Sequence, residues 1–157
     1  MSHAAWVRIC HWLAAASYLT NPADPHKSWF NKEHGPVYDR LQAERFVEWQ
    51  LIVEGSVTRP RAFSLLELQR MPSRTQITRH TCEEGWSAIA QWTGVPPILA
   101  YGMNGRDLPI SHGAPLRARV ETQLGYKSLK FLRRIVVTDH FEDLGNIRNG
   151  WSWYAGI

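Results

Sequence analysis

The 157 residues carry 44% hydrophobic and 20% charged side chains, enough apolar material for one self-sufficient core and too much for an intrinsically disordered chain. Two cysteines, Cys10 and Cys82, lie far apart, which argues against a disulfide framework, and the paired spacings of a structural zinc site are absent. The net charge of +4 is concentrated: from Arg106 to Arg134 seven Lys or Arg face only Asp107 and Glu121. That stretch suits the phosphate groups of a nucleic acid or a cofactor, or is a solvated basic face.

In chain order, Arg8 precedes an apolar run from Ile9 to Leu19, interrupted by His11 and Ser17 and broken by Asn21, Pro22, Asp24 and Pro25. A membrane span needs ~20 apolar residues, and no small-residue cleavage site follows, so the run is expected to be an amphipathic or buried helix. Arg8, His11, Trp12, Leu13 and the three alanines resemble the opening of the first membrane helix in b-type cytochromes, whose histidine ligates haem. No further such helix follows, and His11 is expected to be structural.

Residues 21 to 45 read as a loop with one helical turn near Asp39 to Glu44. Phe46 to Val53 alternates as a strand, with Val47, Trp49, Leu51 and Val53 on one side and Glu48 and Gln50 on the other, until Gly55. Ser64 with Glu67 three residues on forms a capping box for a short helix that Pro72 stops. Thr75 to Thr81, rich in Thr and Ile, reads as a strand that delivers Cys82 at its end. Asn104-Gly105 signals a tight turn, and Gly113 and Gly125 supply further bends.

Cys82 admits three readings. Most buried cysteines are small hydrophobes. A nucleophile needs a base, and His80 shares its face of the strand. A metal ligand needs a thiolate, favoured by Arg79 and opposed by Glu83 and Glu84.

The stretch TRHTCEEGWSAIAQWTGVP, then LAYGMNGRDLPISHGAPLRARVETQLGYKSLKFLRRIVV, and finally WYAGI resemble the molybdopterin-binding domain of the sulfite oxidase family, including its bacterial methionine sulfoxide reductase branch. WFNKEHGPV, WQLIVEGSV and SLLELQRMP resemble its upstream elements, so the likeness runs from Trp29 to Ile157. It implies a domain from 29 to 157 after an N-terminal helix and loop at 1 to 28, with an α+β, strand-rich fold of the sulfite oxidase type. It also implies a molybdenum-molybdopterin cofactor.

On this resemblance Cys82 is the thiolate on molybdenum and the catalytic residue, while His34, His112, Arg117, Lys127, Ser128, Leu129 and Lys130 bind the cofactor. An arginine fork, an ammonium, a hydroxyl and backbone N–H groups are suitable donors for a pterin phosphate. Trp86 and Trp92 wall the pocket or fill core. The implied activity is two-electron oxygen-atom transfer on a small sulfur oxyanion or sulfoxide, with a haem-containing electron partner, no nucleic acid, and a periplasmic or membrane-associated setting. One departure stands out: after GVPP the family has a sizeable block of further strands, and here Pro97 is followed at once by Ile98. The fold is therefore expected to be truncated, and the alternative is a non-catalytic relative serving as a binding module.

Overall fold

The computed structural model describes residues 6–8, 35–82, 85–96, 99–125 and 128–139. The expected helix at 9–19 with His11, the loop before position 35 and the WYAGI segment lie outside the described residues. Within them, no helix is long and apolar enough to cross a membrane.

The elements in order are β1 (Trp6–Arg8), α1 (Gly35–Ala43), β2 (Gln50–Gly55), β3 (Arg61–Ser64), α2 (Leu65–Arg70), β4 (Arg74–Thr81), β5 (Ser87–Val95), β6 (Leu99–Met103), β7 (Arg106–Asp107), β8 (Arg117–Ala118) and β9 (Arg134–Thr138). Strands predominate, as expected of this α+β type. One sheet is ordered β1-β9-β2-β3, and the other β4-β5-β6-β7 with β8 paired to β6. The first sheet thus joins the two ends of the chain: β2 lies parallel to β9, from Ile52↔Arg134 to Gly55↔Val137, and β1 lies antiparallel to β9. The middle of the chain builds the second sheet.

The capping box forms. Ser64 Oγ accepts from the Glu67 N–H at 3.2 Å and the Glu67 carboxylate accepts from the Ser64 N–H at 2.8 Å, so two otherwise orphaned donors are satisfied at the start of α2. Asn104 and Gly105, both at positive φ, join β6 to β7.

The strand expected from Phe46 begins only at Gln50. Helix α1 is longer than one turn, burying Tyr38 and Leu41 three residues apart on one face. It unwinds through a local series in which Phe46 N–H donates to Leu41 O, Val47 N–H to Glu44 O and Trp49 N–H to Phe46 O. Amides used locally cannot join a ladder, so Val47 is 79% exposed while Trp49 and Leu51 are buried as expected. Tyr38, Leu41, Trp49, Leu51 and Leu68 meet Leu116, Ala118, Phe131 and Leu132 in the main core. A second cluster of Ala90, Trp92, Ala100 and Leu108 belongs to the β4–β7 sheet.

Candidate functional site: a buried thiol and a buried cation cluster

Strand β4 runs from Arg74 to Thr81, so its last residue hands the chain to Cys82, which is 6% exposed. The turn that follows is closed by backbone bonds: Cys82 N–H donates to Trp86 O at 2.9 Å, and Gly85 N–H to Cys82 O at 3.2 Å. Gly85 sits at φ +87 with open space where a Cβ would be, so conformation and not crowding calls for glycine there. Glu83 and Glu84 lie outside the described residues.

Alternation along β4 turns Gln76, Thr78 and His80 to the inner side, and all three meet the segment 119–125. Gln76 donates to the Glu121 carboxylate. Thr78 Oγ1 accepts from Arg119 Nη2 at 3.2 Å. The His80 ring lies against Gly125, where an added Cβ would come 2.6 Å from Nε2, and its centroid is 5.7 Å from that of Trp86. Cys82 continues the same two-residue period just past the strand end.

Three cations are buried behind this face: Arg117 (5% exposed), Arg119 (3%) and Lys130 (1%). The Arg117 fork clamps two segments, donating to His112 O and to Ser128 O, both at 3.1 Å. Lys130 Nζ donates to Ser111 O at 2.7 Å. Arg119 Nη2 also donates to Arg79 O at 2.9 Å. Both guanidinium carbons lie close to the Trp92 ring, at 5.0 and 5.5 Å from its centroid, a cation–π arrangement. Among the described residues neither arginine has a carboxylate ion-pair partner. Arg117 Nε and Arg119 Nε and Nη1 are buried with no acceptor. A buried charge costs on the order of several kcal/mol when its donors go unmet, and donors of this kind suit an anion; the nearby Glu121 charge already acts on Arg119.

The electrostatics agree. Burial first, then the Arg117 charge, pushes Lys130 down to about 6. Burial, then Arg117 and Lys130, pushes His112 down to about 4. Burial, then Arg117, Arg119, Lys130 and His112, pushes His80 down to about 3. A base for a cysteine nucleophile works best with a pKa near the working pH, which counts against His80 in that role.

Of the residues expected to bind a cofactor, the structure brings His112, Arg117, Ser128, Leu129 and Lys130 together. His34 and Lys127 lie outside the described residues. Ser128 and Leu129 act through their frame: Ser128 Oγ accepts from the Val120 N–H at 3.4 Å, and Leu129 O accepts from the Ala118 N–H at 2.8 Å. Arg119 was not anticipated. The signal was the alternation in Arg117-Ala118-Arg119, which sends both guanidiniums to one side. Among the described residues no group of three or more His, Cys, Asp or Glu gathers to hold a metal. The donors fit molybdopterin on chemistry: unmet cationic N–H groups for a phosphate, and a soft sulfur for the metal.

Comparison with known proteins agrees with this geometry. The family described as oxidoreductase molybdopterin binding domain matches residues 34–98 and 96–144. The match breaks into two pieces where the internal block is missing. A protein provisionally named protein-methionine-sulfoxide reductase subunit YedZ1, from Azospira oryzae, is 28% identical over 165 aligned positions, covering 81% of this chain and 62% of that one. The protein-methionine-sulfoxide reductase catalytic subunit MsrP of Ralstonia nicotianae is 26% identical, covering 58% of this chain and 44% of its own. The chain therefore spans less than two thirds of the length of these relatives. The sulfane dehydrogenase SoxCD of Paracoccus pantotrophus superposes on 60% of this chain and 39% of that chain with a TM-score of 0.54 at 18% identity, a likeness of fold. Since the matched stretch contains every described residue of the site, the chain belongs to the sulfite oxidase family of oxidoreductase molybdopterin-binding domains.

Proposed function

We propose that this chain is the cofactor-holding domain of a molybdenum-dependent oxidoreductase acting on a small sulfoxide or sulfur oxyanion. The observation that carries the reading is one arrangement: Arg117, Arg119 and Lys130, buried with guanidinium donors unmet, stand behind the strand face that leads to the buried thiol of Cys82. Arg117 and Lys130 would hold the pterin phosphate, with His112 beside them. His34 and Lys127 complete the set on the family resemblance. Cys82 would give molybdenum its protein sulfur, and the tight Cys82–Gly85 turn fixes where that sulfur points. When bound, the cofactor supplies two-electron oxygen-atom transfer.

The chain's own work is positional. The Arg117 fork ties the 112 and 128 backbones into one rigid cradle. The Trp92 ring lies near both guanidiniums, and their burial strengthens their pull on an anion. The neutral imidazole of His80 adds no charge beside the thiol. The names borne by two relatives, both protein-methionine-sulfoxide reductase subunits, support a sulfoxide as substrate. Reduction of a sulfoxide consumes two electrons, so an external carrier, a haem protein in this reading, must deliver them.

Metal analysis of the parent and of Cys82→Ser, both made in a host that synthesises molybdopterin, tests the reading. Molybdenum in proportion to protein in the parent and its loss from the variant are expected. Absence from both would overturn it and favour a non-catalytic module that has lost the cofactor with the missing block.

A further inference from the structure

Arg119 joins two parts of the site that the sheet connects only the long way round. Through backbone pairing β8 reaches β4 by way of β6 and β5, since Arg117 pairs with Ala100, Ala100 with Gly94 and Gly94 with Arg74. Arg119, the residue after β8, crosses that arc directly: its Nη2 donates to Thr78 Oγ1 at 3.2 Å and to Arg79 O at 2.9 Å. Trp92, on β5, belongs to the loop so closed, and its ring lies near both guanidiniums. Neighbouring contacts run along the same stretch of β4, Gln76 with Glu121 and His80 with Gly125.

Arg117, two residues earlier, grips the other side by donating to His112 O and Ser128 O. Three consecutive residues thus send one fork into the cradle around Lys130 and another onto the strand that ends before Cys82. Thr78 and Arg79 stand four and three residues before the thiol, roughly 13 and 10 Å along a strand, so the grip is on the part of β4 that carries it. Two anchors for one ligand bind it best when their separation is already fixed, because any spread must be removed on binding.

We propose that Arg119 is a positioning residue: its paired bonds to Thr78 and Arg79 set the Cys82 thiol at a fixed distance from the Arg117–Lys130 cradle. This role rests on the cofactor-holding function proposed above and needs only the Nη2 bonds already made.

Alkylation of Cys82 by iodoacetamide in the cofactor-free full chain tests it, in a Cys10→Ser background so that one thiol reports. Arg119→Lys keeps the positive charge near the thiol but cannot span both acceptors, and should speed alkylation by about tenfold or more. Thr78→Val removes one acceptor and should speed it by about fivefold. Ser64→Ala, which loosens the cap of α2, gives the rise that a general loss of stability produces, and both variants should exceed it. Made in a cofactor-competent host, Arg119→Lys should also carry several-fold less pterin than the parent. A rate in either variant no higher than in Ser64→Ala, or pterin content in Arg119→Lys equal to the parent's, overturns the proposal. Should Arg119→Lys fail to fold, Thr78→Val decides on the same comparison. A parent that takes up no pterin overturns the proposed function, and the alkylation rates then decide this role on their own.

Discussion

Gly113 and Lys130 are in contact at the backbone: a Cβ on Gly113 would lie 2.5 Å from Lys130 Cβ and 2.8 Å from its Cα, and Gly113 itself sits at φ +101. The buried ammonium is therefore placed by the absence of a side chain seventeen positions earlier. Gly113→Ala must both strain its backbone and push Lys130 aside. A stability loss of about 2 kcal/mol or more is expected, together with reduced pterin content. Urea unfolding and pterin fluorescence of the purified variant check the two effects separately.

Arg117→Lys replaces a fork by a point charge. One of the two carbonyls it now holds, His112 O or Ser128 O, loses its donor. The expected cost is ~1–3 kcal/mol with lower pterin content. Arg133, exposed on the same stretch, should take the same change within ~0.5 kcal/mol. Equal losses at both positions would mean that the clamp contributes nothing.

Acid should weaken the cofactor-free protein. Lys130 is held down to about 6 from 10.5 and His112 down to about 4 from 6.5. Between each folded and unfolded value the unfolded chain binds more protons, so stability rises with pH, from about 4 to 6.5 through His112 and from about 6 to 10.5 through Lys130. Each group contributes a slope of up to ~1.4 kcal/mol per pH unit. Urea midpoints across these windows should climb with pH. A Lys130→Met variant should flatten the upper window, and an unaltered slope there would assign it to other groups.

Ser64→Ala removes the capping box at α2 and should cost about 1 kcal/mol. Pterin content should not change, because the cap bonds are confined to the Ser64–Glu67 turn and α2 packs into the main core through Leu68. Loss of cofactor in this variant would show that the two regions are coupled.

Local rules made part of the fold legible. The Ser64–Glu67 box, the Asn104-Gly105 turn and the strand that ends at Cys82 depend on neighbours within a few residues, and all three form as read. The strand expected from Phe46 starts late because α1 ends in a local hydrogen-bond series that holds residues 44 to 49. That competition is between two arrangements of similar local propensity, and periodicity cannot rank them. The family motifs singled out Cys82, Arg117 and Lys130 as candidates, and the structure buries all three. The motifs did not mark Arg119, whose importance comes from Thr78, Arg79 and Trp92 on strands that only pairing brings alongside.

The sequence by itself determined where the thiol falls relative to its strand and that one stretch carries the whole basic excess; the block missing after Pro97 is visible only against the family it resembles. The first two are properties of order and composition along a chain. Only the tertiary structure decided that Arg117, Arg119 and Lys130 of the basic stretch turn inward and that the two guanidiniums lie near one tryptophan with donors unmet. Burial depends on what the rest of the chain packs on top of a residue, so the same arginine is a solvated charge on an open face and a buried one with unmet donors once a sheet closes over it.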